Sequence, residues 1–180
     1  METKDLFKIL GEDVKTRQIF KGVYARDEFC NLPELRTISP RSSTPILFVC
    51  NLDKSNKPGS HWVVIEYNKN SGKTMYFDPY GFPPIHQDIN TKLFKESTSL
   101  SWSDIQLQET NTTVCGQYCT IYCLLRARGS TSTQILDLLY CDGLISNDTR
   151  DHLIYNFLNS LYPTKLSNLQ TDVHDLDQFL

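Results

Sequence analysis

Apolar residues recur at helical spacing over residues 3–10 and again over roughly 13–20, with Leu6, Ile9, Leu10, Val14 and Phe20 as the inward positions. From Val23 to Thr44 the pattern breaks down around Pro33 and Pro40 and reads as loop. Three strands follow: PILFVCN (45–51), HWVVIEY (61–67) and TMYFDP (74–79), the last two joined by the turn-forming NKNSGK as a hairpin. After the Pro-rich GFPPIHQDIN, residues 90–96 have the pattern of a short helix, and SWSDIQLQ (101–108) alternates as a strand would. Residues 115–128 are apolar almost all round, the mark of a helix enclosed by the core rather than lying on it. Two more helices are expected near 131–141 and 148–161, the second with Leu153, Phe157, Leu158 and Leu161 facing inward.

Strands in the middle and helices at both ends predict an α+β fold, with a central mixed or antiparallel sheet packed by helices. The 180 residues suit one domain, 1–180, in which 164–180 form a polar, loosely docked C-terminal extension. Apolar content of 39% and charged content of 22% are those of an ordinary globular protein. A net charge of −3 with dispersed basic residues argues against strong DNA binding. No apolar run is long enough to span a membrane, and METKDLFKIL lacks the features of a signal peptide. A reducing compartment and free thiols are therefore expected.

The free-thiol reading sharpens a question about TNTTVCGQYCTIYCLLRAR, which holds three of the six cysteines. They could be small apolar residues of a buried helix, metal ligands, or include a nucleophile at a helix start. Cys115, Cys119 and Cys123 lie at i, i+4 and i+8, so the first and third are about 12 Å apart along a helix, too far to share one ion. No second knuckle follows, and neither a metal nor another cofactor is expected. Cys115, by contrast, follows a Thr- and Asn-rich loop at the head of the helix. There the macrodipole and free N–H groups favour the thiolate. Cys119 and Cys123 read as packing residues. Gly116 reads as giving the backbone a close approach to a substrate carbonyl.

His61 opens the second strand and Asp78 stands near the end of the third. A hairpin turning at Asn70 sets them opposite each other, at a Cβ separation of about 4.5–5.5 Å. The pair could simply tie off a hairpin end. It could also serve Cys115, with Asp78 holding one imidazole nitrogen and the other acting as base. Gln108, at the end of the 101–108 segment, could donate its carboxamide N–H to an oxyanion, or could be an ordinary strand-end glutamine.

The order His61, Asp78, Gln108, Cys115 resembles that of the adenovirus-type cysteine endopeptidases (adenain), in the clan that includes the SUMO-deconjugating Ulp proteases. The resemblance rests on His61–Trp62, on Asp78–Pro79 followed by Gly81–Phe82, and on Gln108 with Cys115–Gly116 and Cys119. It covers the chain from the N-terminal helix to about Pro163. It implies a papain-like arrangement with the nucleophile at the head of a central helix. The roles it implies are nucleophile for Cys115, general base for His61, orienting acid for Asp78 and oxyanion donor for Gln108. It further implies a monomeric protease of virion and infected cell that cleaves capsid and core precursor proteins. Two features depart from adenain: the acid is Asp rather than Glu, and no cysteine lies between Cys50 and Cys115 to capture an activating peptide. A Ulp-like isopeptidase acting on ubiquitin-like modifiers, or an acyltransferase of the same clan, would use the same residues.

Overall fold

A computed structural model of the chain describes residues 1–38 and 45–162. The elements run α1 (Thr3–Glu12), β1 (Phe20–Ala25), α2 (Arg26–Cys30), β2 (Ile46–Asn51), β3 (Trp62–Asn68), β4 (Lys73–Phe77), α3 (Gln87–Glu96), β5 (Ser99–Trp102), α4 (Cys115–Ala127), α5 (Ser132–Tyr140) and α6 (Asn147–Leu161). The strands form one sheet in the order β1-β2-β3-β4-β5. Its two outer pairs are parallel and its two inner pairs antiparallel, so the fold is α+β with a mixed central sheet.

Helices cover both faces of that sheet. Along β2 and β3 successive side chains point to opposite faces. Leu47, Val49, Trp62 and Val64 meet α4, α1, α5 and α6 on one side. Ile46, Phe48, Cys50, Val63 and Ile65 meet α2 and α3 on the other. Burial on both faces is why β2 reads as an unbroken apolar run instead of an alternating one.

Eleven of the thirteen residues of α4 are buried, as expected for an enclosed helix. Several of its polar members find partners inside the fold. Tyr122 donates to Glu66 of β3 at 2.8 Å, and Glu66 also accepts from Arg126 at 2.6 and 2.7 Å and from Ser132 at 3.1 Å. Helix α5 begins with a reciprocal cap: Gln134 N–H donates to the Thr131 hydroxyl, and Thr131 N–H donates back to the Gln134 side chain.

Several expectations change. The second N-terminal helix does not form. The Asp13 carboxylate accepts the Thr16 N–H at 2.7 Å and pairs with Arg128, just past the end of α4, at 3.0 Å. The chain thus leaves α1 for a short 3-10 turn at Thr16–Gln18. Val14 is 61% exposed, and Phe20 reaches the core from β1 instead of from a helix. The loop expected from Val23 contains the end of β1, helix α2 and a 3-10 turn at Leu35–Thr37. Its residues 39–44, and the extension expected after Pro163, lie outside the described residues.

Helix α3 starts earlier than expected, at Gln87. The strand expected over 101–108 is Ser99–Trp102 only, because its partner β4 ends at Phe77 and the chain beyond turns to other bonds. In α6 Leu158 is buried and Phe157 and Leu161 pack against the core as expected, but Leu153 is 56% exposed. Arg150, Asp151 and Ile154 complete the buried face instead.

Glu66 carries the clearest energetic prediction. Glu66→Ala strands a largely buried guanidinium and a buried phenol, and should cost about 3–5 kcal/mol in urea unfolding. Ser132→Ala removes one of the four hydrogen bonds that Glu66 accepts and should cost about 1 kcal/mol or less.

Candidate active site

The β3–β4 ladder pairs Val64 with Phe77 and then stops, leaving His61 just before β3 and Asp78 just after β4. The His61 ring Nε2 donates to Asp78 Oδ1 at 2.7 Å. Asp78 is almost fully buried, and the His61 side chain is 13% exposed. Asp78 Oδ1 also accepts the Tyr80 N–H at 2.8 Å. Its backbone is pinned on both sides by the buried Ser103 hydroxyl, which accepts from Asp78 N–H and donates to Asp78 C=O, each at 3.0 Å. A carboxylate held this way fixes the imidazole tautomer, with the proton on Nε2 and Nδ1 free to act.

Pro79 and Gly81 shape the turn after the acid. Gly81 N–H donates to Asp78 C=O at 2.9 Å. Gly81 has φ +77°, and a Cβ there would sit 2.8 Å from the Ile105 carbonyl carbon, so the position demands glycine. The Pro79 carbonyl accepts both the Leu107 and Gln108 N–H groups, at 2.9 and 3.0 Å. The turn that carries the acid is thereby bonded directly to the segment that carries Gln108.

Cys115 is the first residue of α4 and is 7% exposed. Burial, the largest single effect, pushes its thiol pKa up. The hydrogen bond and charge of His61, with the backbone N–H groups of Trp62 and Gly116, outweigh this and bring the thiol below its ordinary value. For His61 burial again acts most strongly, lowering its pKa. The Asp78 hydrogen bond, then Cys115, overcome it and raise the imidazole to about 9. His61 Nδ1 is buried with no other hydrogen-bond partner among the described residues, which leaves it to face Cys115. Both shifts favour a thiolate–imidazolium pair.

The other cysteines differ. Cys119 and Cys123 are fully buried in the core between the sheet and its helices, and burial pushes both thiols upward. Cys50 is likewise raised, and Cys30 goes to about 11, again chiefly by burial.

The structure thus brings His61, Asp78 and Cys115 together, and places Gln108 beside them through Tyr80. Gln108 is fully buried in irregular chain, not at a strand end. Its Nε2 donates to the Thr112 carbonyl at 2.9 Å and, more weakly, to Tyr80 Oη at 3.2 Å and Thr112 Oγ1 at 3.3 Å. The Thr112 carbonyl can only accept, which fixes the orientation of the amide. Gln108 Oε1 is buried without a hydrogen bond.

Two residues of the site escaped the sequence reading. Tyr80 stacks on His61 with ring centroids 4.6 Å apart and an interplanar angle of 26°. Ser103 anchors the acid. An aromatic residue two positions after the acid was the one available signal for Tyr80; nothing local marks Ser103. Gly116 also has a packing role. A Cβ there would lie 3.0 Å from Met1 Cβ, so the glycine makes room for the N-terminal residue.

No protein-family description and no curated protein matches the sequence. Solved structures do match. A protease of ASFV aligns with a TM-score of 0.48 and 17% identity, over 81% of this chain and 65% of its own. ChlaDub1 from Chlamydia trachomatis aligns with a TM-score of 0.43 and 14% identity, over 64% of this chain and 58% of its own. The Chlamydia trachomatis effector protein Cdu1, solved bound to ubiquitin, gives a TM-score of 0.42 and 13% identity, over 64% and 59%. This chain spans less than two thirds of the length of each. At such distances the chemistry of the site rests on its own geometry.

That geometry predicts selective alkylation. Cys141 is exposed and would react first on access alone. Cys115 should nonetheless be labelled by iodoacetamide at pH 7 about tenfold faster or more, because the thiolate is the nucleophile. Peptide mapping after brief treatment checks this, and first labelling at Cys141, Cys119 or Cys123 would contradict it.

Proposed function

We propose that the chain is a cysteine endopeptidase of virus maturation that cleaves capsid or core precursor proteins. The observation that carries the chemistry is the Cys115 thiol at the head of α4, shifted toward thiolate beside an imidazole that Asp78 holds at 2.7 Å. The substrate class is supported by the motifs shared with adenovirus-type endopeptidases: His61–Trp62, Asp78–Pro79 with Gly81–Phe82, and Gln108 with Cys115–Gly116.

In this reading the Cys115 sulfur attacks the scissile carbonyl and a C–S bond forms as the carbonyl π bond breaks. The oxyanion is received by the Cys115 backbone N–H and by a Gln108 N–H. One Gln108 N–H remains on the Thr112 carbonyl, and the other exchanges its weak bond to Tyr80 for the oxyanion. His61 gives its proton to the leaving amine as the C–N bond breaks, leaving a thioacyl-enzyme. Water then attacks the thioester, His61 taking its proton, and the thiolate is restored.

The substrate test compares precursor capsid protein with ubiquitin and SUMO fluorogenic fusions, using the purified chain. New N-termini in the precursor support the proposal. Turnover of a fusion with an intact precursor would replace it by a deconjugating activity. Cys115→Ala and His61→Ala should each abolish turnover. Asp78→Asn should be milder, since the amide still holds the ring without stabilising its charge. Gln108→Ala should lower kcat by on the order of 10²-fold with KM little changed. Duplex DNA or a thiol-bearing peptide should change the rate less than tenfold, because residues 51–114 contain no cysteine and the chain is acidic.

The pH profile follows from the two shifts. The competent form needs Cys115 deprotonated and His61 protonated. Activity should rise through the lowered thiol pKa, hold across neutral pH, and fall as the imidazolium is lost near pH 9. The same linkage acts on stability. A His pKa raised from 6.5 to about 9 contributes fully below pH 6.5 and fades as the pH climbs through 9. A kcat/KM profile still flat at pH 10 would refute the ion-pair form.

A further inference from the structure

Asp151 stands on the inward face of α6 and is 3% exposed. A carboxylate at such a position costs several kcal/mol to dehydrate, and the next inward positions of the helix, Ile154 and Leu158, show what plain packing would use. Its hydrogen bonds converge on one stretch of chain. Oδ2 accepts the Glu109 N–H at 3.0 Å and the Thr112 hydroxyl. Oδ1 accepts the Tyr118 hydroxyl at 2.8 Å. These partners bracket the path from Gln108 to Cys115, and Tyr118 lies on α4 one turn beyond the nucleophile.

The chain of contacts continues to the carboxamide. Thr112 Oγ1, which donates to Asp151, accepts from Gln108 Nε2 at 3.3 Å, and the Thr112 carbonyl accepts from the same nitrogen at 2.9 Å. The neighbouring Arg150 directs its guanidinium elsewhere, to the Leu107, Tyr140 and Ile145 carbonyls and to Asn147. Asp151, together with the Glu109 carbonyl that faces Thr112 Oγ1 at 3.0 Å, therefore sets where Thr112 stands, and Thr112 sets where the Gln108 amide points.

We infer that Asp151 is a positioning residue for the oxyanion site, aligning Gln108 through Thr112 with the head of α4. The inference rests on the reading of Gln108 as oxyanion donor. Asp151 carries no proton in the reaction. Its contribution is to hold a donor where negative charge develops, which matters in proportion to the charge.

Two reagents separate this role from a general brace. With p-nitrophenyl acetate, the Cys115 sulfur bonds to the acyl carbon, the C–O bond breaks and p-nitrophenolate leaves, through an oxyanion. With iodoacetamide, a C–S bond forms as C–I breaks, iodide leaves and no oxyanion arises. Rates of both are measured on the full chain and on Asp151→Asn, Thr112→Val, Gln108→Ala and the Thr112→Val/Gln108→Ala double variant. Circular dichroism and thermal unfolding check the fold.

Asp151→Asn and Thr112→Val should slow acylation by about tenfold to 10²-fold and leave alkylation within about twofold. In the Gln108→Ala background, Thr112→Val should cost less than about twofold, since the group it aligns is gone. Equal losses with the two reagents, or full additivity in the double variant, would make Asp151 a structural brace and overturn the inference. If Asp151→Asn does not fold, Thr112→Val and its double variant decide the matter alone. Acylation unaffected by Gln108→Ala would overturn the oxyanion reading and this inference with it. That outcome differs from one in which Gln108→Ala is costly while Asp151→Asn and Thr112→Val are not, which sinks the inference only.

Discussion

Enclosure of α4 governs the molecule. A helix buried on every side must find an apolar partner in every direction. The sheet supplies one with Val64 and Phe77, α1 another with Leu6 and Leu10, and α5 and α6 the rest with Ile135, Leu139, Ile154 and Leu158. Polar residues on such a helix are costly unless they find partners of their own. Tyr122 therefore bonds Glu66 in the sheet, and Tyr118 bonds Asp151 in α6. Dense packing removes the helix's freedom to slide or turn, so the position of its first residue is settled by its whole length. Cys115 inherits its place from contacts far along the helix.

The other half of the site comes from strand ends. Where β3 and β4 stop pairing, backbone groups are released for other bonds, and side chains are no longer committed to a sheet face. Ser103 and the 107–108 segment take up the released groups around Asp78 and Pro79. An acid held by its own backbone, by the Tyr80 N–H and by an imidazole has little freedom of rotation. Preorganisation of this kind lets a carboxylate act on a ring without first paying a reorganisation cost.

How much of this could be read from the sequence depends on the range of the forces involved. The runs around Phe48 and Val64 announce strands because both faces of the sheet are covered. The closeness of His61 and Asp78 follows from hairpin geometry alone, and Cys115 is marked by the abrupt start of an apolar helix. β1 was hidden because Phe20, Gly22 and Tyr24 make a weak strand that forms by pairing with β2, 26 positions further on at Gly22↔Phe48. The helical period near Val14 misled because a single carboxylate, Asp13, ends α1 through bonds to Thr16 and Arg128. Ser103 and Asp151 were invisible for the same reason: a buried polar residue is defined by partners that only the tertiary fold brings near. The packed face of α6 was legible at Phe157, Leu158 and Leu161 but not at Arg150 and Asp151, whose charge conceals their burial.

The isolation of the nucleophile from the other core thiols has a consequence for oxidative injury. A peroxide that converts Cys115 to the sulfenic acid leaves a species normally rescued by a second thiolate, which condenses with it to a disulfide. Cys119 is the nearest thiol in sequence along α4, but it is sealed in apolar surroundings that keep it protonated and unable to attack. Repair must then come from a small thiol entering from solvent. Where none is at hand, oxidation can run on to the sulfinic acid, and the same packing that places the nucleophile leaves it without an internal means of recovery.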